Sequence, residues 1–171
     1  MLNGLQIQRL IKQKALITDY LNLDIQLTPN GFDLTAGSVF EFTSPGILDF
    51  SNKERMVSQT REIQPEKKDP KDKFGWWNLK KGAYKIKTNE NFNLPKDLVV
   101  IAFPRSSILR MGAFTQTAVW DAGFKGKSEF ILVIENPQGL NLKQNARIIQ
   151  VIFIRINKTN LGNQGIYQEG E

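Results

Sequence analysis

Apolar and polar positions change rhythm once along this chain. Near the start, Leu2, Leu5, Leu10 and Ile11, with Ile7 nearby, recur at helical spacing and predict a short amphipathic helix over residues 4–14. Beyond it the period shortens. Runs rich in β-branched and aromatic residues follow at 38–43, 82–88, 98–103, 129–135 and 147–156, bounded by Gly, Pro, Asn and Asp. Many short strands with frequent turns predict a mainly all-β domain, either a sandwich or a closed, barrel-like sheet, preceded by one helix in the segment 1–20.

Residues 43–78 break the rhythm. They contain Pro45, Gly46, Pro65, Pro70 and Gly75 with little periodicity, which predicts a long excursion with at most a strand near 47–50. The last stretch, 158–171, is polar and Gly-containing and reads as a tail that is flexible without a ligand. No internal repeat or low-complexity tract divides the chain. With 171 residues, 40% of them hydrophobic, one domain spanning 1–171 has enough apolar material for its own core.

Composition narrows the chemistry. The chain has no cysteine and no histidine, which excludes disulfides, thiolate nucleophiles, imidazole bases and the usual transition-metal ligands. Catalysis, if any, must run on carboxylates, hydroxyls, Lys/Arg and backbone. A metal would be a hard ion such as Mg²⁺, held chiefly by phosphate oxygens. The net charge of +6 favours anionic partners without choosing among them. Much of the charge lies in 53–73, where signs are mixed (Lys67, Lys68, Asp69, Lys71, Asp72, Lys73), the pattern of a solvated loop more than of a nucleic-acid patch. No apolar run is long enough to span a membrane, and residues 1–13 lack the layout of a secretion signal, so the expected location is cytoplasmic.

The most informative stretch is F-P-R-S-S-I-L-R-M-G-A-F-T-Q-T-A-V-W-D-A-G-F-K-G at 103–126. Arg105, Ser106, Ser107 and Arg110 follow directly on an apolar strand, where guanidiniums, hydroxyls and turn N–H groups together make a polyphosphate cradle. A helical turn at 108–111 would add its positive N-terminus. The same residues also suit an ordinary capped helix with surface arginines. Next, Trp120 to Gly126 reads as a tight hairpin in which Gly123 and Gly126 supply positive φ and let a ligand approach the backbone. Asp121 in that bend is either a turn former or a base, and in a chain without His or Cys a carboxylate is the plausible general base.

Three further pieces are weaker alone. Asn30, Gly31 and Asp33 lie in a turn entering a strand, where Asp33 is expected to bond local backbone N–H groups. Gln150 interrupts an apolar strand, and a buried amide must bond either core backbone or a ligand. In the tail, G-I-Y-Q at 165–168 could close over a bound substrate.

Taken together, N-G-F-D-L-T-A-G (30–37), G-I-L-D-F (46–50), P-R-S-S-I-L-R-M-G (104–112), T-A-V-W-D-A-G-F-K-G (117–126), A-R-I-I-Q (146–150) and G-I-Y-Q (165–168) resemble the dUTPase and dCTP deaminase superfamily, especially the archaeal-type dUTPases. The resemblance implies a distorted β-barrel of the β-clip type, assembled as a homotrimer with active sites at subunit interfaces. Arg105, Ser106, Ser107 and Arg110 would hold the triphosphate and Asp121 would be the catalytic aspartate. Phe124 would pack on the deoxyribose, Gln150 would help from a neighbouring subunit, and Tyr167 and Gln168 would belong to the closing tail, whose wording departs from its relatives. Backbone groups around Ala118 to Phe124 would read uracil.

The implied reaction is hydrolysis of dUTP to dUMP and pyrophosphate, with Mg²⁺ on the triphosphate and water activated by Asp121. Deaminases of the superfamily carry a glutamate ten residues beyond this aspartate. Here that position is Ile131, or Val133 if two residues are inserted, while Glu129 and Glu135 fall out of register. The rival enzyme is a dCTP deaminase, or a bifunctional form that makes dUMP from dCTP. A rival of another class is a non-catalytic nucleotide-sensing or nucleic-acid-binding trimer, favoured only by the basic stretch 53–73; no nucleic-acid or membrane partner is expected.

Overall fold

The computed structural model describes residues 1–159. In chain order its elements are α1 (Gly4–Lys14), β1 (Ile17–Thr18), α2 (Leu23–Gln26), β2 (Leu27–Thr28), β3 (Gly31–Phe42), β4 (Thr60–Ile63), β5 (Trp76–Leu79), β6 (Gly82–Asn93), β7 (Leu98–Pro104), α3 (Ser106–Arg110), β8 (Ala113–Gln116), β9 (Lys125–Ile134), β10 (Leu140–Lys143) and β11 (Arg147–Arg155).

Helix α1 has the bounds its periodicity predicts. The Asn3 side chain accepts the Gln6 N–H at 2.9 Å while Gln6 Oε1 accepts the Asn3 N–H at 3.0 Å, a reciprocal cap. Ala15, left-handed at φ 50°, ends it. The buried stripe is narrower than the apolar spacing suggests. Ile7 and Ile11, one turn apart, are buried, whereas Leu5, about 200° round from Ile7, is exposed. Leu2 is buried ahead of the helix, and its N–H donates to Phe153 O at 2.8 Å, tying the N-terminus to β11.

Six strands lie side by side in the order β7-β11-β3-β6-β9-β8, with β1 beside β6 and both β2 and β4 beside β3. The two edges then meet. The chain leaving β8 swings round until Trp120 and Val100 of β7 exchange N–H···O bonds of 3.0 and 3.1 Å. A sheet whose edges pair becomes a barrel, and this one is nearly closed, the barrel-like, mainly β fold that the sequence predicts. Two short helices, α2 and α3, add to the single expected one. β5 and β10 form a separate antiparallel ribbon.

Several strands outrun their predicted bounds, for one reason: polar residues occupy buried positions. β3 starts at Gly31 because Asp33 and Thr35 continue the strand although neither is apolar, and both are buried. β6 runs to Asn93 through T-N-E-N, and Ile86, Thr88, Glu90 and Phe92 all point inward at period two. In the excursion, the strand expected near 47–50 reduces to a single bridge between Ile47 and Met56. Its real strands are β4 and the start of β5, and the Trp77 indole N–H donates to Ile63 O at 2.7 Å to fold the excursion back on the barrel.

Three bulges lie at one level of the barrel: in β11 between Arg147 and Ile149, in β3 between Ala36 and Ser38, and in β6 between Lys87 and Asn91. Such bulges gather beside active sites, where they re-aim side chains. No helix among the described residues is long and apolar enough to cross a membrane.

Candidate active site

The first half of the candidate site is the end of β7. Pro104 closes the strand, and the next residue, Arg105, keeps extended backbone (φ −65°, ψ 146°) as the residue ahead of α3. Its N–H donates to Ile148 O at 3.1 Å, prolonging the ladder to β11. Its guanidinium is held as well. Arg105 Nε lies 2.9 Å from Asp33 Oδ2, and Nη1 donates to Arg147 O at 3.3 Å. The local-turn reading of Asp33 therefore needs correction: this buried carboxylate reaches across the barrel to Arg105 and Arg147, the latter at 3.2 Å. Burial pushes the Asp33 carboxyl above its ordinary range against the pull of Arg105 and then Arg147. Two guanidiniums on one oxygen oppose that rise without cancelling it.

Helix α3 is a single turn, so its dipole adds little. Ser106, Ser107 and Arg110 are exposed on it, while Ile108 anchors it in the core. Arg105 and Ser107 line an open cleft of about 560 Å³ together with Arg147, Lys143, Asn145 and Gln26. Gln150, on the neighbouring strand, donates from Nε2 to Thr28 Oγ1 at 2.6 Å. Asn30 is exposed in the β2–β3 turn. Gly31 is required at the start of β3, because a Cβ there would lie 2.3 Å from Val151 O.

The second half is the turn after Trp120. The Phe124 N–H donates to Asp121 O at 3.0 Å, and Gly123 has φ 87° at the third position, the pattern of a type II turn. It is not the tight hairpin between consecutive strands that the sequence suggests. Trp120 pairs with Val100 of the edge strand β7 and Phe124 O accepts the Leu94 N–H at 2.8 Å just beyond the inner strand β6, so the turn links strands that are not neighbours in the sheet. β9 accordingly starts at Lys125, with Gly126 at φ 130°. Trp120 and Phe124 each pack edge-on against Phe92, at 5.9 and 6.5 Å between ring centres. Both rings are buried, so Phe124 offers a ligand only its remaining edge. Between them Asp121 is exposed, as is Ala118. Among the described residues no hydrogen bond or ion pair engages the Asp121 carboxylate.

The two halves do not meet within one chain. Trp120 is opposite Val100, and Arg105 is five residues further along, about 16 Å at the rise of a strand. Neither Asp121 nor Phe124 lines the cleft that holds Arg105 and Ser107. Tyr167 and Gln168 lie outside the described residues.

Beneath the cleft is a polar cluster that sequence reading missed. Glu90 is fully buried, and its carboxylate accepts Gln26 Nε2 at 2.7 Å, Thr35 Oγ1 at 2.6 Å and the Thr35 N–H at 3.0 Å. Burial pushes this carboxyl up, and the bonds from Thr35 and Gln26 only partly offset that. The inward phase of Ile86, Thr88 and Phe92 was the signal that could have found it.

A profile of the dCTP deaminase-like family matches residues 1–156. The chain belongs to this family. A probable deoxyuridine 5'-triphosphate nucleotidohydrolase from Archaeoglobus fulgidus is 42% identical over 98% of the chain and 95% of its own length. A protein of the same description from Methanosarcina mazei is 39% identical over 98% of the chain and 96% of its length. The deoxyuridine 5'-triphosphate nucleotidohydrolase of Methanocaldococcus jannaschii is 33% identical over 84% and 87%. Among solved structures, the 2'-deoxycytidine 5'-triphosphate deaminase of Agrobacterium tumefaciens has the same fold, with a TM-score of 0.61 at 21% identity over 91% of this chain; the chain spans 47% of that one.

Within the dCTP deaminase-like family the strand after the Asp121 turn is informative. Along β9 Phe130, Leu132 and Ile134 are buried, so Glu129, Ile131 and Val133 share the opposite face. Ile131 and Val133 offer no proton-transfer group. Glu129, two residues away, has its carboxylate at 3.2 Å from Lys85 Nζ.

Proposed function

We propose that the protein hydrolyses dUTP to dUMP and pyrophosphate as a homotrimer, with water activated by Asp121. The observation that carries this reading is the Asp121 carboxylate, exposed and uncommitted among the described residues on a turn that Trp120 and Phe124 clamp from both sides. It is supported by the near full-length likeness to proteins described as deoxyuridine 5'-triphosphate nucleotidohydrolases.

In this reading Arg105, Ser106, Ser107 and Arg110 bind the triphosphate and stabilise charge growing on the leaving pyrophosphate. Asp121, from a neighbouring copy, accepts a proton from water attacking the α-phosphorus in line. Backbone groups from Ala118 to Phe124 bind uracil, and the buried ring of Phe124 leaves no room for a 2'-hydroxyl. Gln150, Tyr167 and Gln168 complete the enclosure. The substrate would enter as its Mg²⁺ complex: no group of three or more carboxylates among the described residues could hold a metal alone, and the ion when bound neutralises phosphate charge. The apolar Ile131 and Val133 disfavour deamination at the cytosine carbon.

Asp121→Asn tests the assignment. A positioned base is worth about a hundredfold to ten-thousandfold, so turnover should fall by at least that lower figure while binding of a non-hydrolysable dUTP analogue is kept. Turnover within about tenfold of wild type would reject Asp121 as the base. Release of ammonia from dCTP by the wild-type protein would reject the assignment in favour of a deaminase.

A further inference from the structure

We infer that Glu90 is a positioning residue for Arg105, acting through Gln26, Thr35 and Asp33 to hold the guanidinium in the cleft. The inference rests on the reading above, in which Arg105 binds the triphosphate.

The β6 bulge is what brings Glu90 inside. Residues 88–90 oppose Ser128 alone, and the Thr88 hydroxyl repairs the broken ladder, accepting the Ser128 N–H at 3.2 Å and donating to Glu90 O at 3.0 Å. Glu90 thereby faces Thr35 where β3 and β11 are themselves bulged, and its Oε2 takes the Thr35 N–H in place of a strand neighbour.

The donors around Glu90 have no freedom to turn. Gln26 Oε1 already accepts the N–H groups of Leu21 and Asn22 at 2.7 and 2.9 Å, so its Nε2 must face outward, to Glu90 and to Asp33 O at 2.9 Å. Thr35 Oγ1 already accepts Asn89 Nδ2 at 2.8 Å, so its proton goes to Glu90. Amide, hydroxyl and backbone N–H thus converge on two oxygens. A carboxyl group, with acceptor lone pairs on both oxygens, can satisfy all of them; a glutamine at 90 would set its NH₂ against a donor in either orientation.

These contacts fix the backbone from the Asp33 carbonyl to the Thr35 N–H, and Asp33 Oδ2 is the atom on which Arg105 Nε and Arg147 Nη1 meet. Arg147 Nη1 also donates to Ile25 O at 2.7 Å, closing the loop back to Gln26. A shift of a few tenths of an ångström at 33–35 would therefore reach the guanidinium without passing through any surface group.

A merely structural Glu90 would lower stability and scale activity by the folded fraction, independently of Arg105. A positioning Glu90 couples to Arg105. The test is a cycle of Glu90→Gln and Arg105→Ala in the full chain, with dUTP kinetics. We expect Glu90→Gln to lower kcat/KM at least about fivefold, mainly through KM, and to change it less than about twofold once Arg105 is alanine. Additive losses in the two backgrounds would overturn the inference. If Glu90→Gln does not fold, Thr35→Val removes one of the three donors to Glu90, together with the acceptor for Asn89 Nδ2, and should couple to Arg105 in the same sense. A second readout needs no turnover: the ¹⁵Nε–¹Hε resonance of Arg105, assigned by its loss in Arg105→Lys. It should shift or exchange away in Glu90→Gln or Thr35→Val while that of Arg155 stays. An unmoved Arg105 resonance would sink the positioning role even in an active enzyme, whereas a wild-type protein inert on dUTP would sink the functional reading while the resonance still decides the link.

Discussion

Trp120 and Val100 exchange backbone hydrogen bonds across the barrel's closing edge, at 3.0 and 3.1 Å. That pairing places Asp121 about 16 Å of strand away from Arg105, and each belongs to a different surface of the chain. On the proposed reading, a triphosphate held by Arg105 takes its base from another copy. Mixing Asp121→Asn with Arg105→Ala, each nearly inactive alone, should therefore restore activity after dissociation and reassembly. With random assembly a site joining one wild-type Asp121 to one wild-type Arg105 occurs in roughly a quarter of cases. Recovery near that level supports an interfacial site; no recovery from a mixture shown to have exchanged subunits would place both halves in one chain.

Gly31 sets how closely β3 approaches β11. A methyl group there would lie 2.3 Å from Val151 O and 3.1 Å from Gln150 Nε2. The obstacle at 2.3 Å is backbone and cannot swing aside, so Gly31→Ala should cost about 1–3 kcal/mol, the usual range for overpacking. For a chain of this size each kcal/mol moves the melting temperature by about 2–4 °C. Calorimetry checks it, and an unchanged midpoint would mean that the strands separate freely there.

Local chemistry was legible in the sequence and distant pairing was not. The helical spacing of Ile7, Leu10 and Ile11 announces α1, and the apolar run at 98–103 is β7 almost to the residue. The Asp121 turn was visible through Gly123, but nothing nearby says that Trp120 pairs with Val100 instead of returning along the next strand. Asp33 looked like a turn former because its partners, Arg105 and Arg147, are remote in the chain. β5 and β10 went unseen for the same reason: each is four residues long and pairs with the other across about sixty residues of chain. Glu90 is the instructive case. Its alternation with Ile86, Thr88 and Phe92 is in the sequence, yet a charged residue at an inward position is credible only once Gln26 and Thr35 are known to meet it.

Asp33 joins two arginines, so its neutralisation separates charge from packing. In Asp33→Asn the amide keeps the shape but leaves Arg105 and Arg147 without a counter-charge. Their side chains are 29% and 34% exposed, so water can take over part of the pairing and the loss should be about 1–3 kcal/mol, below that of a dry ion pair. Because Arg105 is released from its anchor, the Michaelis constant for dUTP should rise more than turnover falls. Urea unfolding with steady-state kinetics decides the matter, and an unaltered Michaelis constant would remove Arg105 from the substrate.

The same burial makes Glu90 a sign-definite probe of pH dependence. Its carboxyl is raised above the 4.5 of a free glutamate because burial outweighs the bonds from Thr35 and Gln26, and both of these hydrogen-bond partners are neutral. The native chain thus holds the Glu90 proton more tightly than the unfolded chain does. This group's contribution to stability is fully present below the unfolded value and is lost as pH rises through the native one. As pH falls from neutral toward the 4.5 of a free glutamate, the wild type should therefore gain melting temperature relative to Glu90→Gln, whose amide does not titrate. Paired thermal scans of the two proteins across that window read the difference directly. A wild type that instead falls relative to Glu90→Gln on acidification would show that the three donors outweigh burial and hold Glu90 ionised below the ordinary range.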